Sequence, residues 1–208
     1  MQPELSITSI LAALVALIAT ITDVRTGKIF NVITFPAMLI GIIARGVQWY
    51  MTQPESGIAA AVAGAFNGFL GFLLGMVLLG VFKVTIMRQF GGGDIKLMGA
   101  LGAFVGPAMI MGTFLYYCLS FGVYTCTVMA MAFPWNQAIV AYISKAPQVM
   151  NMDKFNAVRK APLPVAPFIL AGLLATIVFY EPTMWLFGLK EQISPKHSAS
   201  SSVPSGIR

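Results

Sequence analysis

The chain is poor in charged residues and in the side chains that bind metal ions. Charged residues make up 10% of its 208 positions, whereas a soluble domain has about 25%. There is one histidine, and the two cysteines, Cys118 and Cys126, would lie about 12 Å apart along a helix, too far for a disulfide within it. Without closely paired cysteines or a histidine cluster, we expect no zinc or iron–sulfur site and no cofactor.

Apolar residues fill the chain instead. They account for 58% of the sequence, and the mean hydropathy is +0.82. A helix needs about 20 apolar residues to cross the hydrocarbon layer, and helices satisfy their own backbone hydrogen bonds inside lipid. The composition predicts an all-α integral membrane protein, a polytopic bundle of about six transmembrane helices. We expect residues 1–193 to form the membrane domain and the Ser-rich segment 194–208 to be a disordered tail.

The apolar runs divide into six predicted spans. Glycines spaced four apart in the third span predict close packing against a neighbouring helix. The run 95–133 would form a helix of about 58 Å, almost twice the bilayer, so we divide it into two spans with a tight turn near Gly106, Pro107 and Gly112. The role of the loop 134–163 is left open. The predicted spans are 5–22, 32–50, 58–82, two within 95–133, and 164–189.

The basic residues predict the orientation in the membrane. The net charge of +6 comes from short clusters between apolar runs, a pattern of membrane topology rather than of nucleic-acid binding. If both termini lie outside, nine of the thirteen Lys and Arg residues lie in inner segments. Among the outer ones, Arg45 is expected to extend to the interface. The nine inner residues are Arg25, Lys28, Lys83, Arg88, Lys96, Lys145, Lys154, Arg159 and Lys160.

Two of the seven acidic residues adjoin spans at the predicted inner face. Asp23 ends the first span, and Asp94 opens the fourth after three glycines. The simplest interpretation makes Asp94 a helix N-cap and Asp23 an interfacial charge, while Asp153 is a solvated charge in a basic loop. Two matched acids on one side of a membrane nevertheless favour a functional pair, because ionisable residues within membranes are usually functional.

Two facing carboxylates could hydrolyse a peptide bond. One keeps its proton and the other stays anionic, so the anion can activate water while the acid protonates the carbonyl oxygen. We expect Asp94, at a helix N-terminus, to be the anion and Asp23, at a helix C-terminus, to be the acid. The glycines before Asp94 would let an extended substrate approach the backbone; they are Gly91, Gly92 and Gly93.

These residues resemble two motifs of the type IV prepilin peptidase family, which includes the archaeal preflagellin peptidases. The segment TDVRTGKIFN carries Asp23 in a D-x-R-x-x-x-I-x-N pattern, and GGGDIKL carries Asp94 in a GxGD pattern. The segment 163–172 is similar to the proline-rich start of the family's last span. The resemblance implies that Asp23 and Asp94 are catalytic and that cleavage follows a glycine at the cytoplasmic end of a pilin's hydrophobic helix. We assign substrate binding to the three glycines, Arg25, Asn31 and Lys96.

The chain lacks the cysteine pairs of the large family members, which also carry an N-terminal methyltransferase region. It therefore resembles the short, peptidase-only branch of Flp-type tight-adherence pili, and we expect no N-methylation. The resemblance implies a multi-pass protein of the bacterial inner membrane with its active site towards the cytoplasm. The implied partners are prepilin or pseudopilin substrates, lipid and the pilus assembly machinery.

Three alternatives use the same residues differently. A presenilin-like intramembrane protease also has a GxGD motif, but its first aspartate lies deeper in the membrane than Asp23 is predicted to lie. A proton-coupled transporter could use both aspartates as proton sites, although it would need polar or broken mid-membrane segments, whereas the predicted spans are mostly apolar. An assembly scaffold without chemistry is the third alternative, and a cleavage assay separates it from the proteases.

Overall fold

All regular structure in the described part of the chain is helical. The computed structural model describes residues 6–85, 92–135, 137, 139, 152–154, 156 and 164–187. The predicted tail 194–208, Gly91 and most of the predicted loop 134–163 lie outside these residues. The helices are α1 (Ile7–Thr26), α2 (Asn31–Thr52), α3 (Gly57–Thr85), α4 (Gly92–Ala132), α5 (Ala166–Val178) and α6 (Tyr180–Leu186), with a 3-10 turn at Pro54–Ser56.

The lengths and composition of these helices confirm an all-α polytopic membrane protein. Helices α1 to α4 are each long and apolar enough to cross a membrane, and the bent pair α5 and α6 makes a fifth if it is one span. Large apolar side chains cover the outside of the bundle; Ile43, Val62 and Leu119 are more than 60% exposed. Lipid is the solvent that such a surface requires.

Several helices begin or end at the same end of the bundle, and this end carries the residues of the site. Helix α1 begins at the N-cap Ser6 and ends at Gly27, whose positive φ of 63° is a common way to end a helix. The start of α1 contacts the end of α2 through a hydrogen bond from Thr8 to Gln48 of 2.9 Å. At the opposite end, α1 finishes where α2, α4 and α5 begin. We call this end the carboxylate end.

Helices α3 and α4 pack backbone to backbone through their glycines. A Cβ atom on Gly71 would overlap the carbonyl oxygen of Gly102, and one on Gly75 would lie 2.5 Å from the carbonyl oxygen of Met98. Because no side chain separates the helices at these points, the two backbones approach as closely as small-residue motifs allow. The predicted close packing of the third span is confirmed.

Helix α4 folds back on itself at Gly106, whose φ of 80° is not helical. Gly75 contacts Met98, and the ring of Phe82 lies 6.1 Å from that of Tyr117. Gly75 and Phe82 are about 10 Å apart along α3, whereas Met98 and Tyr117 would be about 28 Å apart in a straight helix. The arms 92–105 and 107–132 therefore lie side by side.

The fold-back confirms the predicted break at Gly106 and Pro107. The first arm, 92–105, is about 21 Å long, so it is too short to be one of the two spans predicted within 95–133. Glycine tolerates the positive φ, and the proline that follows has no N–H to continue the helical ladder. The prediction was wrong for Gly112, which lies inside the second arm against Thr176 and Thr183. There the missing side chain allows α5 and α6 to approach the second arm.

The last predicted span, 164–189, is not one continuous helix. Helix α5 ends at Val178, and α6 leaves it at an angle of 91°. The cause is Pro182 in the first turn of α6, because a proline ring clashes with the carbonyl four residues earlier, here that of Val178. The prediction of one continuous span did not take this proline into account.

Arg45 does not extend to the interface as predicted. Its Nε donates to Asn67 Oδ1 and its Nη1 donates to Gln48 Oε1, both at 3.4 Å. Its Nη2 lies against the fold-back of α4, 2.9 Å from where a Cβ atom of Gly106 would be. Because two amide oxygens within the bundle accept from the guanidinium, Arg45 points inwards and contacts the bend.

Candidate active site

Asp23 lies on the buried face of α1. Ala12, Ala16 and Ala19 lie on the same face and are fully buried, and Asp23 is only 7% exposed. Their spacing of three and four residues continues one helical stripe. Val24 and the predicted substrate-binding residue Arg25 are exposed. The small alanines hold α1 close to its neighbours, and the same stripe carries the carboxylate into the bundle.

The Asp23 carboxylate contacts the start of α5. Its Oδ2 accepts a hydrogen bond of 3.1 Å from the backbone N–H of Ala166, the first residue of α5. The prediction that Asp23 is the acid was based only on its position at the C-terminus of α1. The N-terminus of α5 attracts negative charge in the same way as that of α4. The helix dipoles therefore do not distinguish Asp23 from Asp94.

Asp94 lies within the first turn of α4 rather than at its N-cap, because the helix already begins at Gly92. The side chain is 6% exposed and shares a face with Leu97, Met98 and Leu101, which are fully buried. A carboxylate in the first turn of a helix is favoured by the helix dipole. Asp94 is the third residue of α4, so its interpretation as an N-cap is wrong.

The two sequence motifs contact each other at the carboxylate end. Lys96 Nζ donates a hydrogen bond of 2.9 Å to Asn31 Oδ1, and it lies 5.1 Å from the ring centre of Phe35. A Cβ atom on Gly93 would lie 2.9 Å from Cβ of Ile29. Ile29 and Asn31 belong to the first motif, and Gly93 and Lys96 surround Asp94. The structure thus joins the segments that carry the two acids.

The glycines before Asp94 have different surroundings. Gly93 needs to be glycine because Ile29 of the first motif occupies the space that a side chain would fill. The contact with Ile29 therefore accounts for a glycine at this position, and no role in substrate binding is needed to explain it. A Cβ atom on Gly92 would meet no atom of the described residues within 4 Å. Gly91 lies outside the described residues. Substrate binding by Gly92, Gly93, Arg25, Asn31 and Lys96 stays a prediction.

Tyr117 is a candidate site residue that sequence reasoning missed. It is fully buried in the second arm of α4, and its ring packs against those of Phe82, Phe114 and Phe121. It lies 11 residues after the bend at Gly106, and Asp94 lies 12 residues before it, so the two residues lie at a similar depth in the bundle. Its hydroxyl has no hydrogen-bond partner in the described part of the chain. The only sequence signal was a tyrosine within a run of apolar residues.

Fold and site together define a polytopic helical membrane protein with two buried carboxylates at one end, carried by contacting motifs. Residues 10–126 match the type IV leader peptidase family. This match covers more than half of the chain, including Asp23, Asp94 and Tyr117, and the chain belongs to that family. The family resemblance of the sequence is therefore confirmed, whereas the Flp-type branch stays a prediction.

The chain is also similar to two curated relatives. They are the prepilin leader peptidase/N-methyltransferases of two strains of Burkholderia pseudomallei, each 29% identical over 178 residues. The alignment covers 85% of this chain and 47% of each relative, so the chain spans about half the length of the curated relatives it matches. No solved structure matches it.

Proposed function

We propose that the chain is a membrane aspartic endopeptidase that removes the basic leader of type IV, Flp-like prepilins at the cytoplasmic face. The observation that carries this proposal is the contact between the motifs of Asp23 and Asp94 at one end of the bundle. Both acids are buried there, 7% and 6% exposed. Membership of the type IV leader peptidase family supports the same reaction.

The proposed mechanism needs two carboxyl groups that share one proton. The ionised carboxylate removes a proton from water, and the resulting hydroxide attacks the carbonyl carbon of the scissile peptide bond. The protonated acid meanwhile donates its proton to the carbonyl oxygen. The tetrahedral intermediate then collapses: the C–N bond breaks, the leaving nitrogen takes a proton from the carboxyl group that gained one, and the other acid regains its own. Asp23 and Asp94 perform these steps without a cofactor.

The position of the site fits the shape of the proposed substrate. A prepilin has a polar leader followed by a hydrophobic helix, and the bond between them lies at the membrane boundary. Asp23 and Asp94 lie at helix ends, where an apolar segment can stay in lipid while the leader is in water. We further propose that cleavage follows the glycine at that boundary.

The test is cleavage of synthetic prepilins by the detergent-purified protein. Mass spectrometry should locate one cut after the glycine, and Asp23→Asn and Asp94→Asn should each abolish it. Asp153→Asn is a matched control, because Asp153 is exposed and should leave the rate unchanged. Flp-type and other type IV precursors tested side by side identify the preferred class. Full activity of either active-site variant would refute the two-acid mechanism.

A further inference from the structure

The Tyr117 hydroxyl is a buried donor without a partner in the described residues. Such a group costs about 1–3 kcal/mol when it makes no hydrogen bond, and native structures contain few of them. The ring is held by Phe82, Phe114 and Phe121. On its backbone side, Tyr117 N lies 2.9 Å from where a Cβ atom of Gly172 would be. The residue therefore has little freedom to turn its hydroxyl towards water.

The fold-back of α4 brings Tyr117 to the depth of one of the two acids of the proposed reaction. Asp94 lies 12 residues before Gly106 on the first arm, and Tyr117 lies 11 residues after it on the second, so the two residues lie at a similar depth in the bundle. In a straight helix the two residues would be about 35 Å apart. The bend thus brings a phenol donor and a carboxylate acceptor into one buried region.

We propose that Tyr117 is a positioning residue for Asp94: its hydroxyl donates a hydrogen bond to the Asp94 carboxylate when substrate is bound and holds it in the reactive orientation. The inference rests on the proposed function, because it assumes that Asp94 is catalytic. A hydrogen bond to a charged group is stronger than one between neutral groups. This partnership explains why a tyrosine lies where phenylalanine would fill the same space without an unpaired hydroxyl.

The experiment replaces Tyr117 with phenylalanine in the full chain and measures kcat, KM and thermal unfolding in detergent. Phenylalanine keeps the aromatic packing and removes only the oxygen. We expect kcat to fall about 10- to 100-fold, the equivalent of one hydrogen bond to a charged group, with KM within about twofold of wild type. The unfolding midpoint should be unchanged or higher, because an unpaired buried hydroxyl is gone.

Thr125 provides a matched control, since its hydroxyl is also buried without a partner in the described residues. Thr125→Val removes that hydroxyl on the same arm and should leave kcat unchanged. A Tyr117→Phe enzyme with wild-type kcat, alongside an inactive Asp94→Ala enzyme, overturns the positioning role and leaves the proposed function intact. An active Asp94→Ala enzyme overturns the proposed function itself, and the positioning role with it.

Discussion

Asp23 Oδ2 accepts a 3.1 Å hydrogen bond from the N–H of Ala166, a residue 143 positions later in the chain. The first N–H groups of a helix have no partner within the helix, and here a side chain of α1 accepts from the first residue of α5. The carboxylate that we propose as catalytic therefore also joins two helices. Substitutions of Asp23 will change stability as well as chemistry, and the choice of replacement separates the two effects.

Replacing Asp23 by asparagine should preserve the contact, because the amide oxygen can also accept from Ala166. Asp23→Ala leaves that buried N–H without an acceptor, which costs about 1–3 kcal/mol. We expect both variants to lose cleavage activity and only the alanine variant to unfold at a lower temperature. Thermal unfolding in detergent measures the difference. Equal unfolding temperatures for the two variants would show that the contact does not stabilise the bundle.

The glycine contact between α3 and α4 predicts that one added methyl group at this contact will clearly lower the stability of the protein. A Cβ atom on Gly71 would overlap the backbone of Gly102, whereas one on Gly80 would meet none of the described residues within 4 Å. Gly71→Ala should therefore destabilise the protein by about 1–3 kcal/mol through overpacking. Gly80→Ala, on the same helix, should be neutral or stabilising by up to about 1 kcal/mol. Unfolding midpoints of the two variants test this contrast.

Lys96 and Asn31 should act as a pair that joins the two motifs. Lys96→Met removes the hydrogen bond to Asn31 and the contact with Phe35, and at this half-exposed position we expect a loss below about 1 kcal/mol. Asn31→Leu should cost a similar amount, and the double variant should cost less than the sum. If Lys96 and Asn31 bind substrate, as the sequence predicts, Lys96→Met and Asn31→Leu each raise KM. An unchanged KM in both variants would mean that the pair contributes to stability alone.

Arg45 should stabilise the bend of α4 through Asn67. Arg45→Met keeps an apolar stem but leaves the Oδ1 atom of Asn67 without this donor. A double-mutant cycle with Asn67→Leu should give a coupling energy of about 0.6 kcal/mol, the usual size for polar contacts between membrane helices. The cycle is measured by unfolding in detergent. Additive effects would mean that the contact contributes nothing to stability.

Much of the fold could be predicted from apolar runs and small residues. Membrane spans can be recognised as long apolar segments because only apolar side chains are stable in lipid. The spacing of the glycines in α3 predicted that a neighbouring helix packs closely against it. The break at Gly106 and Pro107 was visible because both residues oppose a continuous helix. The two aspartates stood out for the same physical reason, since a carboxylate is rare beside a membrane span.

Contacts between distant segments could not be predicted in this way. The bond between Asp23 and Ala166 depends on how α5 packs, and no local pattern encodes that packing. Tyr117 lies within a run of apolar residues, so its approach to Asp94 follows only from the fold-back. Arg45 was misjudged because its acceptor Asn67 lies on another helix. Each of these depends on tertiary geometry rather than on periodicity.

The fold-back of α4 has a consequence for insertion into the membrane. The first arm, 92–105, is about 21 Å long, shorter than the hydrocarbon layer of about 30 Å. It therefore cannot stand across the bilayer alone and must enter together with the second arm as a helical hairpin. Asp94 and Tyr117 come to a similar depth only after that hairpin closes, and Asp23 contacts Ala166 only after α5 is synthesised. A nascent chain at the ribosome thus has no assembled site until its last helices are in place.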